Sequence, residues 1–337
     1  MDWFEKIAGF RETGYDETRA RLEVEGEILR SRVNGARYGI GQLELISLET
    51  LRERARYAGE LPGRMRATVV TGDVRRMHQS HENNGALFQV ASQFNLLEMV
   101  SPDVTPEHGV TRYEYDHTQG PACAIAAGAA TIYRNYFAPA EGSHGQTATR
   151  QLDGLHDLGD ALSRGMNVPV GELWTMRNGY ALATETGLNA IGGYLKTRTA
   201  AQIDVLRGKL RIGIHRDVEV TEAEGPTRPR VSQAFCSALP VAYCYVSPQH
   251  WKPFASLILE AAYEATMWAA VLNAQRGASN VVYLTLLGGG AFGNDSDWIY
   301  AAMRRALGLM RHFELDVRLV SYSSPSTEMW ALIEEFR

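Results

Sequence analysis

Val281–Trp298, VVYLTLLGGGAFGNDSDW, joins a β-branched and aliphatic run to glycines at Gly288, Gly289, Gly290 and Gly293, with Asn294 ahead of a helical pattern. A short apolar run closed by glycines reads as a buried strand feeding a loop. Glycine there lets the backbone take positive φ and bring its N–H groups against a ligand. A tight loop that opens a helix is also where anions, phosphates above all, are held. The spacing is neither GxGxxG nor a GxxxxGK followed by Ser or Thr, which argues against a dinucleotide fold and a P-loop NTPase. The same pattern also fits a strand-to-helix turn that only packs tightly.

Outward from this stretch, strand and helix patterns alternate. Gln42–Ser47, Arg66–Thr71, Ala86–Ser92, Leu210–Val220, Val231–Cys236, Val281–Leu287 and Leu315–Ser321 read as strands. Leu48–Tyr57, Pro121–Tyr133, Leu152–Ser163, Ala200–Leu210, His250–Ala274, Asp295–Met310 and Thr327–Phe336 read as helices, Pro121 suiting a first turn. Such alternation implies an α/β protein, three layers deep, with a mixed sheet covered by helices on both faces. Residues 138–149 and 222–230 are expected to be the most mobile, and neither is long enough to separate two domains. The expectation is one elaborated domain over 1–337, with an N-terminal extension over 1–60, a core over about 66–325, and long insertions.

Composition narrows the function classes. The chain has 337 residues, 45% hydrophobic and 22% charged, as soluble globular proteins do. Its 34 basic and 39 acidic residues leave a net charge of −5, so nothing in the overall charge favours a nucleic-acid partner. No apolar segment runs unbroken for a membrane span, because Pro240, Glu260 and Glu264 interrupt the longest ones. Cys123, Cys236 and Cys244 are odd in number and sit in apolar surroundings, which reads as reduced thiols and a cytoplasmic location. The opening MDWFEKIAGFRE carries acids where a secretory leader would be basic. No metal site is expected: there is no HExxH, and His78 and His81 before Glu82 would need a distant third ligand. Cys123 among alanines reads as a buried thiol, and the Arg134-Asn135-Tyr136 run fits either a loop clamp or a phosphate contact.

In open α/β sheets ligands lie beyond the carboxyl ends of strands. Four such ends here are polar or glycine-rich: Thr71-Gly72-Asp73-Val74, Ser92-Gln93-Phe94-Asn95, the 288–294 loop and Ser321-Tyr322-Ser323. A carboxylate, an amide pair, a phosphate-type loop and an aromatic plate suit a nucleotide-sized ligand. VVTGDV, FQVASQFN and LLGGGAFGND, in this order, resemble the macrodomains that bind ADP-ribose, in their poly(ADP-ribose) glycohydrolase-like branch. The resemblance spans about 66–325. It implies a macrodomain-like fold with ADP-ribose as ligand and no cofactor. It assigns Asp73 to the adenine amine, with Val74 beside it, and Gln93 and Asn95 to ribose and phosphate. Gln119 and Gly120 belong to the helix start that faces the distal ribose. Gly288, Gly289, Gly290, Ala291, Phe292, Gly293 and Asn294 form the phosphate loop, with Tyr322 against the nucleotide. The chain lacks the paired glutamates of the glycohydrolases, which argues against cleavage of poly(ADP-ribose). VSPD, YDHTQGPA and GGGAFGN are more similar to the MavL-type arginine-specific ADP-ribosylhydrolases.

Cleaving ADP-ribose from a guanidine nitrogen passes through a cationic centre at the distal ribose, which carboxylates stabilise while one of them handles the proton of water. The segment 98–116 supplies Glu98, Asp103, Glu107, Glu114 and Asp116. Asp116, just before His117-Thr118-Gln119-Gly120, is the first catalytic candidate and Asp103 the second. Glu107 is counted with them, although Glu107 and Glu114 also fit a solvated loop face. Ser-Pro-Asp at 101–103 fits turn chemistry as well, and Asp295 and Asp297 fit a helix cap. The expected partner is ADP-ribose or an ADP-ribosylated protein. A binding module that holds ADP-ribose without turnover is the alternative.

Overall fold

Seven strands with apolar residues on both faces need helices on both faces, and the chain supplies them. The structure, a computed structural model, describes residues 1–59 and 61–337. Its main sheet contains β1 (Gln42–Ser47), β2 (Arg66–Thr71), β3 (Leu87–Ala91), β4 (Arg211–Glu219), β5 (Arg230–Cys236), β6 (Val281–Leu284) and β7 (Asp316–Ser321). The spatial order is β1-β4-β5-β3-β6-β7-β2. β4 runs antiparallel to β1 and β5, and every other neighbouring pair is parallel. The carboxyl ends of β2, β3, β5, β6 and β7 therefore share one edge of the sheet.

Successive side chains point to opposite faces. Leu87, Ile212, Ile214, Ala234, Val282, Leu284, Val317 and Leu319 share one core. Phe88, Val90, Val218, Val231, Phe235 and Tyr283 share another. The first core is closed by α1 (Leu48–Tyr57), α5 (Glu185–Lys196), α6 (Ala200–Lys209), α7 (Pro248–Gln275) and α8 (Ser296–Leu309). The second is closed by α2 (Val74–Gln79), α3 (Gln119–Ala126) and α4 (Gly128–Tyr136). This is the expected three-layer α/β/α arrangement with a mixed sheet. The 28-residue α7 is long and apolar enough to cross a membrane, but most of it is buried within the protein, beneath the sheet.

Several expectations shift. The single helix expected over Pro121–Tyr133 is two, α3 and α4, broken at Ala127 (φ −109°, ψ 53°). A Cβ on Gly128 would lie 2.5 Å from Ile7 Cδ1, so the break lets the N-terminal helix Trp3–Ala8 press against α4. Residues 1–40 build a third core there, with Trp3, Phe4, Leu29 and Ile40 packed on Leu97, Tyr113 and Ile132. Gln42–Ser47, read as part of the extension, is instead the edge strand of the main sheet. The segment 138–149 is anchored: the buried Gln146 donates from Nε2 to the Asn95 and Arg134 carbonyls, each at 3.1 Å. In 222–230, Glu222 holds Arg75 and Gln79.

Candidate functional site

β3, β5 and β6 end around one open pocket. Ala91, Ser92 and Gln93 form its floor, with Ala238 from beyond β5.

One wall is the glycine loop. Gly288 sits at φ +76°, and a Cβ there would lie 2.4 Å from Ala238 Cβ, so only glycine closes the turn. The loop is pinned by Gly289 N donating to Leu286 O (3.0 Å), Gly293 N to Gly290 O (3.0 Å) and Asn294 N to Gly288 O (2.9 Å). Below it the Tyr263 hydroxyl, from α7, donates to Thr285 O (2.6 Å) and accepts from Leu287 N (2.9 Å). That anchoring is why β6 ends at Leu284 rather than Leu287. Among the described residues, the amides of Gly288, Gly290, Ala291 and Phe292 find no acceptor, and all four residues line the pocket. A run of free amides at positive-φ turns is an anion cradle.

The opposite end of the binding surface is built from side chains of 92–121. After β3 the chain reverses through a clasp: Gln93 Oε1 accepts from Met99 N (2.8 Å) and Nε2 donates to Met99 O (3.2 Å). The clasp delivers Glu98 to the pocket. Glu98 is buried, and Arg134 Nη2 stands 3.3 Å from both of its carboxylate oxygens. Arg134 is itself fully buried, donates from Nε to Leu96 O (3.1 Å) and lies 3.9 Å over the Phe235 ring. Arg134 is therefore a clamp on the loop. The Tyr113 hydroxyl accepts from Glu98 N (3.0 Å). Burial lifts the Glu98 carboxyl to about 7, against the opposing pull of Arg134. A carboxyl poised there can hold or release a proton near neutrality.

Asp116 also lines the pocket, half-buried, with Oδ1 accepting from Thr118 N (2.9 Å). Gln119 lines it too, but its amide acts as a strand partner: Oε1 accepts from Ala91 N (2.9 Å) and Nε2 donates to Gln89 O (2.8 Å). A Cβ on Gly120 would fall 2.0 Å from Ala91 O, so this glycine lets the start of α3 press on the end of β3. Tyr180, Tyr243 and Phe292 complete the lining.

Of the expected site residues, the pocket gathers Gln93, Asp116, Gln119, Gly120, Gly288, Gly290, Ala291 and Phe292. Asp103 lies outside it, exposed and ion-paired with Arg177. Glu107 lies outside as well, its carboxylate accepting from Ala148 N at 2.8 and 3.0 Å. Asn95 is turned into the core, where Oδ1 accepts from Leu97 N (3.1 Å) and Nδ2 donates to Gln151 (2.8 Å). Gly289, Gly293 and Asn294 shape the loop without facing the pocket; a Cβ on Gly293 would meet Ala242 at 2.9 Å, and Asn294 Nδ2 donates to Leu239 O (2.8 Å). Asp73 caps α2, accepting from Arg75 N (2.8 Å), and Val74 is buried. Asp73 and Tyr322 lie near one another, two and one strands away from β6, where Gly72 N donates to Ser321 O (2.9 Å) and Tyr322 is exposed.

The expected list passed over Glu98, Tyr180 and Tyr243. The Glu98 signal lay in its neighbours: a lone acid in Leu96-Leu97-Glu98-Met99-Val100 is set among residues that bury. Tyr180 and Tyr243 carried no local signal, since a hairpin and a turn far apart in sequence bring them in. His78 is buried and stacked on Phe88 (3.8 Å between centroids), and burial holds its pKa down at about 4. Among the described residues no three His, Cys, Asp or Glu side chains gather as a metal-ligand set. Burial pushes the Cys123 thiol well above its ordinary value, which leaves it no nucleophile.

No family model matches the chain, and no curated protein does. Solved structures do. Poly(ADP-ribose) glycohydrolase from Deinococcus radiodurans, in complex with ADP-ribose, superposes with a TM-score of 0.46 at 12% identity, covering 87% of this chain and 94% of that one. The enzyme from Thermomonospora curvata superposes at 0.42 with 12% identity over 94% of both chains. At such identities no residue role passes from one chain to the other.

Proposed function

We propose that this chain is an ADP-ribosylhydrolase that removes ADP-ribose from arginine on modified proteins. The observation that carries the reading is Glu98: a buried carboxyl lifted to about 7, facing the same pocket as Asp116 and the free amides of the glycine loop. The amides of Gly290, Ala291 and Phe292 take the diphosphate. From β6 the adenosine crosses β7 to β2, two strand spacings or roughly 10 Å, to reach Asp73 and Tyr322. The distal ribose then lies between the loop and the two carboxylates.

The chemistry follows from the leaving group. A guanidinium bonded to the anomeric carbon departs as a neutral guanidine, taking the electron pair of the broken C–N bond, so it needs no acid. The site needs a base and charge stabilisation. Asp116 stabilises the positive charge that develops on the ribose. Water adds its oxygen to the anomeric carbon and gives its proton to Glu98, which passes it to the departing guanidine. No cofactor enters the balance.

The test is mass spectrometry of an arginine-ADP-ribosylated protein before and after incubation with the chain. Loss of the modification with release of ADP-ribose supports the reading. ADP-ribose binding with every linkage left intact overturns it in favour of a non-catalytic binding module.

A further inference from the structure

The segment that carries the pocket acids has its back covered by residues 1–40. Leu97, Met99, Val110 and Tyr113 are buried in the same core as Trp3, Phe4 and Phe10. One contact there is polar. The half-buried Glu12 carboxylate accepts from Val110 N with both oxygens (2.8 and 2.9 Å) and from Thr111 N with Oε2 (2.7 Å). The Tyr136 hydroxyl donates to its Oε1 at 2.8 Å. Gly109 stands at φ +79°, and a Cβ there would lie 2.4 Å from Glu12 Cδ, so the carboxylate fits only against glycine. Trp3 adds a second tie, its indole Nε1 donating to Thr111 O at 3.1 Å. Charge-assisted bonds to successive amides are among the stronger hydrogen bonds, and these two amides belong to the backbone of the reactive segment.

What Glu12 fixes is the turn that aims both pocket carboxylates. Val110 O accepts from Tyr113 N (3.1 Å) and Tyr113 O from Asp116 N (3.2 Å), so the turn Thr111–Tyr115 runs from the Glu12 contact to Asp116. In its middle the buried Tyr113 hydroxyl accepts from Glu98 N (3.0 Å). We propose that Glu12 is a positioning residue of the reaction, holding residues 110–116 so that Glu98 and Asp116 converge on the distal ribose. The inference rests on the hydrolase reading. Glu12 does not line the pocket, and its influence passes through Val110, Thr111 and Tyr113. The anion cradle is built without it, on Tyr263 and on bonds within the glycine loop. Loss of Glu12 therefore slows the chemistry and spares ADP-ribose binding.

The experiment measures kcat, KM and ADP-ribose affinity of the full-length protein, with an arginine-ADP-ribosylated protein as substrate. Glu12→Ala should lower kcat at least about tenfold, because a small misplacement of a reacting group costs that much, while KM and calorimetric ADP-ribose affinity stay within about twofold. Glu12→Gln should restore most of the rate: its amide oxygen can take both backbone amides while its NH2 donates to the Tyr136 hydroxyl. Ser31→Ala is the control. It deletes a buried bond of the same N-terminal region, from Ser31 Oγ to Ala8 O (2.5 Å), and should keep kcat. Trp3→Phe gives up the indole bond to Thr111 O and should lower kcat a few-fold, so it carries the test if Glu12→Ala does not fold. An unchanged kcat in Glu12→Ala, or in Trp3→Phe standing in for it, overturns the proposal and leaves the hydrolase reading intact. So does a Gln variant as slow as the Ala variant, or an equal loss in Ser31→Ala. If kcat and ADP-ribose affinity fall together, Glu12 supports the fold at large and positions nothing. If the unaltered protein binds ADP-ribose and cleaves no linkage, the hydrolase reading fails and takes this one with it.

Discussion

The glycine loop and the segment 92–121 face the same pocket and are built on opposite plans. The loop offers backbone amides, held by short-range bonds among Leu286, Gly288, Gly289, Gly290, Gly293 and Asn294. The segment offers side chains, each aimed by a distant partner: Arg134 and Tyr113 for Glu98, and the β3 backbone for Gln119. Backbone donors suit an anion that must be bound firmly in ground and transition states alike. Carboxylates suit charge that develops only as the bond breaks. The two walls should therefore separate under mutation, the loop governing affinity and the segment governing turnover.

Glu98→Gln should have the largest effect. It keeps the shape and removes the base, so turnover should fall by roughly two orders of magnitude or more while ADP-ribose still binds, as stopped-assay kinetics and calorimetry would show. The unaltered protein's rate should rise as pH passes about 7, because the base must be ionised, and Glu98→Gln should lose that limb. Stability moves the other way. The folded carboxyl holds its proton more tightly than its ordinary value of 4.5, so this contribution is complete below about 4.5 and lost as pH rises to about 7. Melting temperatures across that interval should decline with pH more steeply for the unaltered protein than for the variant. A variant of undiminished turnover would move the chemistry to Asp116 alone.

Gly290→Val probes the other wall. A Cβ at Gly290 meets nothing within 4 Å and the position lines the pocket, so the side chain enters the anion cradle without straining the fold. ADP-ribose affinity should drop at least about tenfold, ~1.4 kcal/mol, with turnover of bound substrate little changed. Unchanged affinity in calorimetry would remove the loop from the site. Tyr263→Phe should act in the same sense and more weakly. It deletes the hydroxyl that holds Thr285 and Leu287, a loss of about 1 kcal/mol, and should weaken ADP-ribose several-fold at constant kcat. An equal fall in kcat would mean that the loop also positions the reacting ribose.

The contrast also explains what the sequence disclosed. The strands and the glycine loop were legible because periodicity and backbone chemistry are local: VVYLTLLGGGAFGN announces its turn wherever it is placed. Gln93 and Asn95 were equally visible as polar residues after a strand. Yet Gln93 faces the pocket while clasping Met99, and Asn95 turns into the core toward Leu97 and Gln151. The local bond from Leu97 N to Asn95 is joined by anchors far along the chain, Tyr180 for Gln93 and Gln146 and Gln151 for Asn95, which no local pattern discloses. The acids of 98–116 repeat the lesson. Asp116 drew attention by standing just before a helix start and does line the pocket, whereas Asp103 lies outside it. The acid that joins Asp116 is the one among leucines, Glu98, whose clamp by Arg134 only the fold brings in.

The smallest effect expected is the sharpest test of the fixed side-chain wall. Asp103 and Arg177 form an exposed ion pair, with side chains 69% and 56% accessible, beside the Asn178 amide that donates to Pro102 O at 2.7 Å. Pairs of that exposure contribute roughly 0–1 kcal/mol, so Asp103→Asn should leave turnover unchanged and shift the melting temperature only slightly. Glu107→Gln should likewise spare turnover, because its carboxylate serves Ala148 N rather than the pocket. Both acids hang from the stretch that follows Glu98, and nothing but loop backbone separates them from it. A fall in turnover for Asp103→Asn on the scale of Glu98→Gln would mean that residues 101–107 fold over the pocket when substrate arrives. The carboxylate wall would then be assembled by the ligand, and the division between a binding loop and a preset reactive wall would fail on the reactive side.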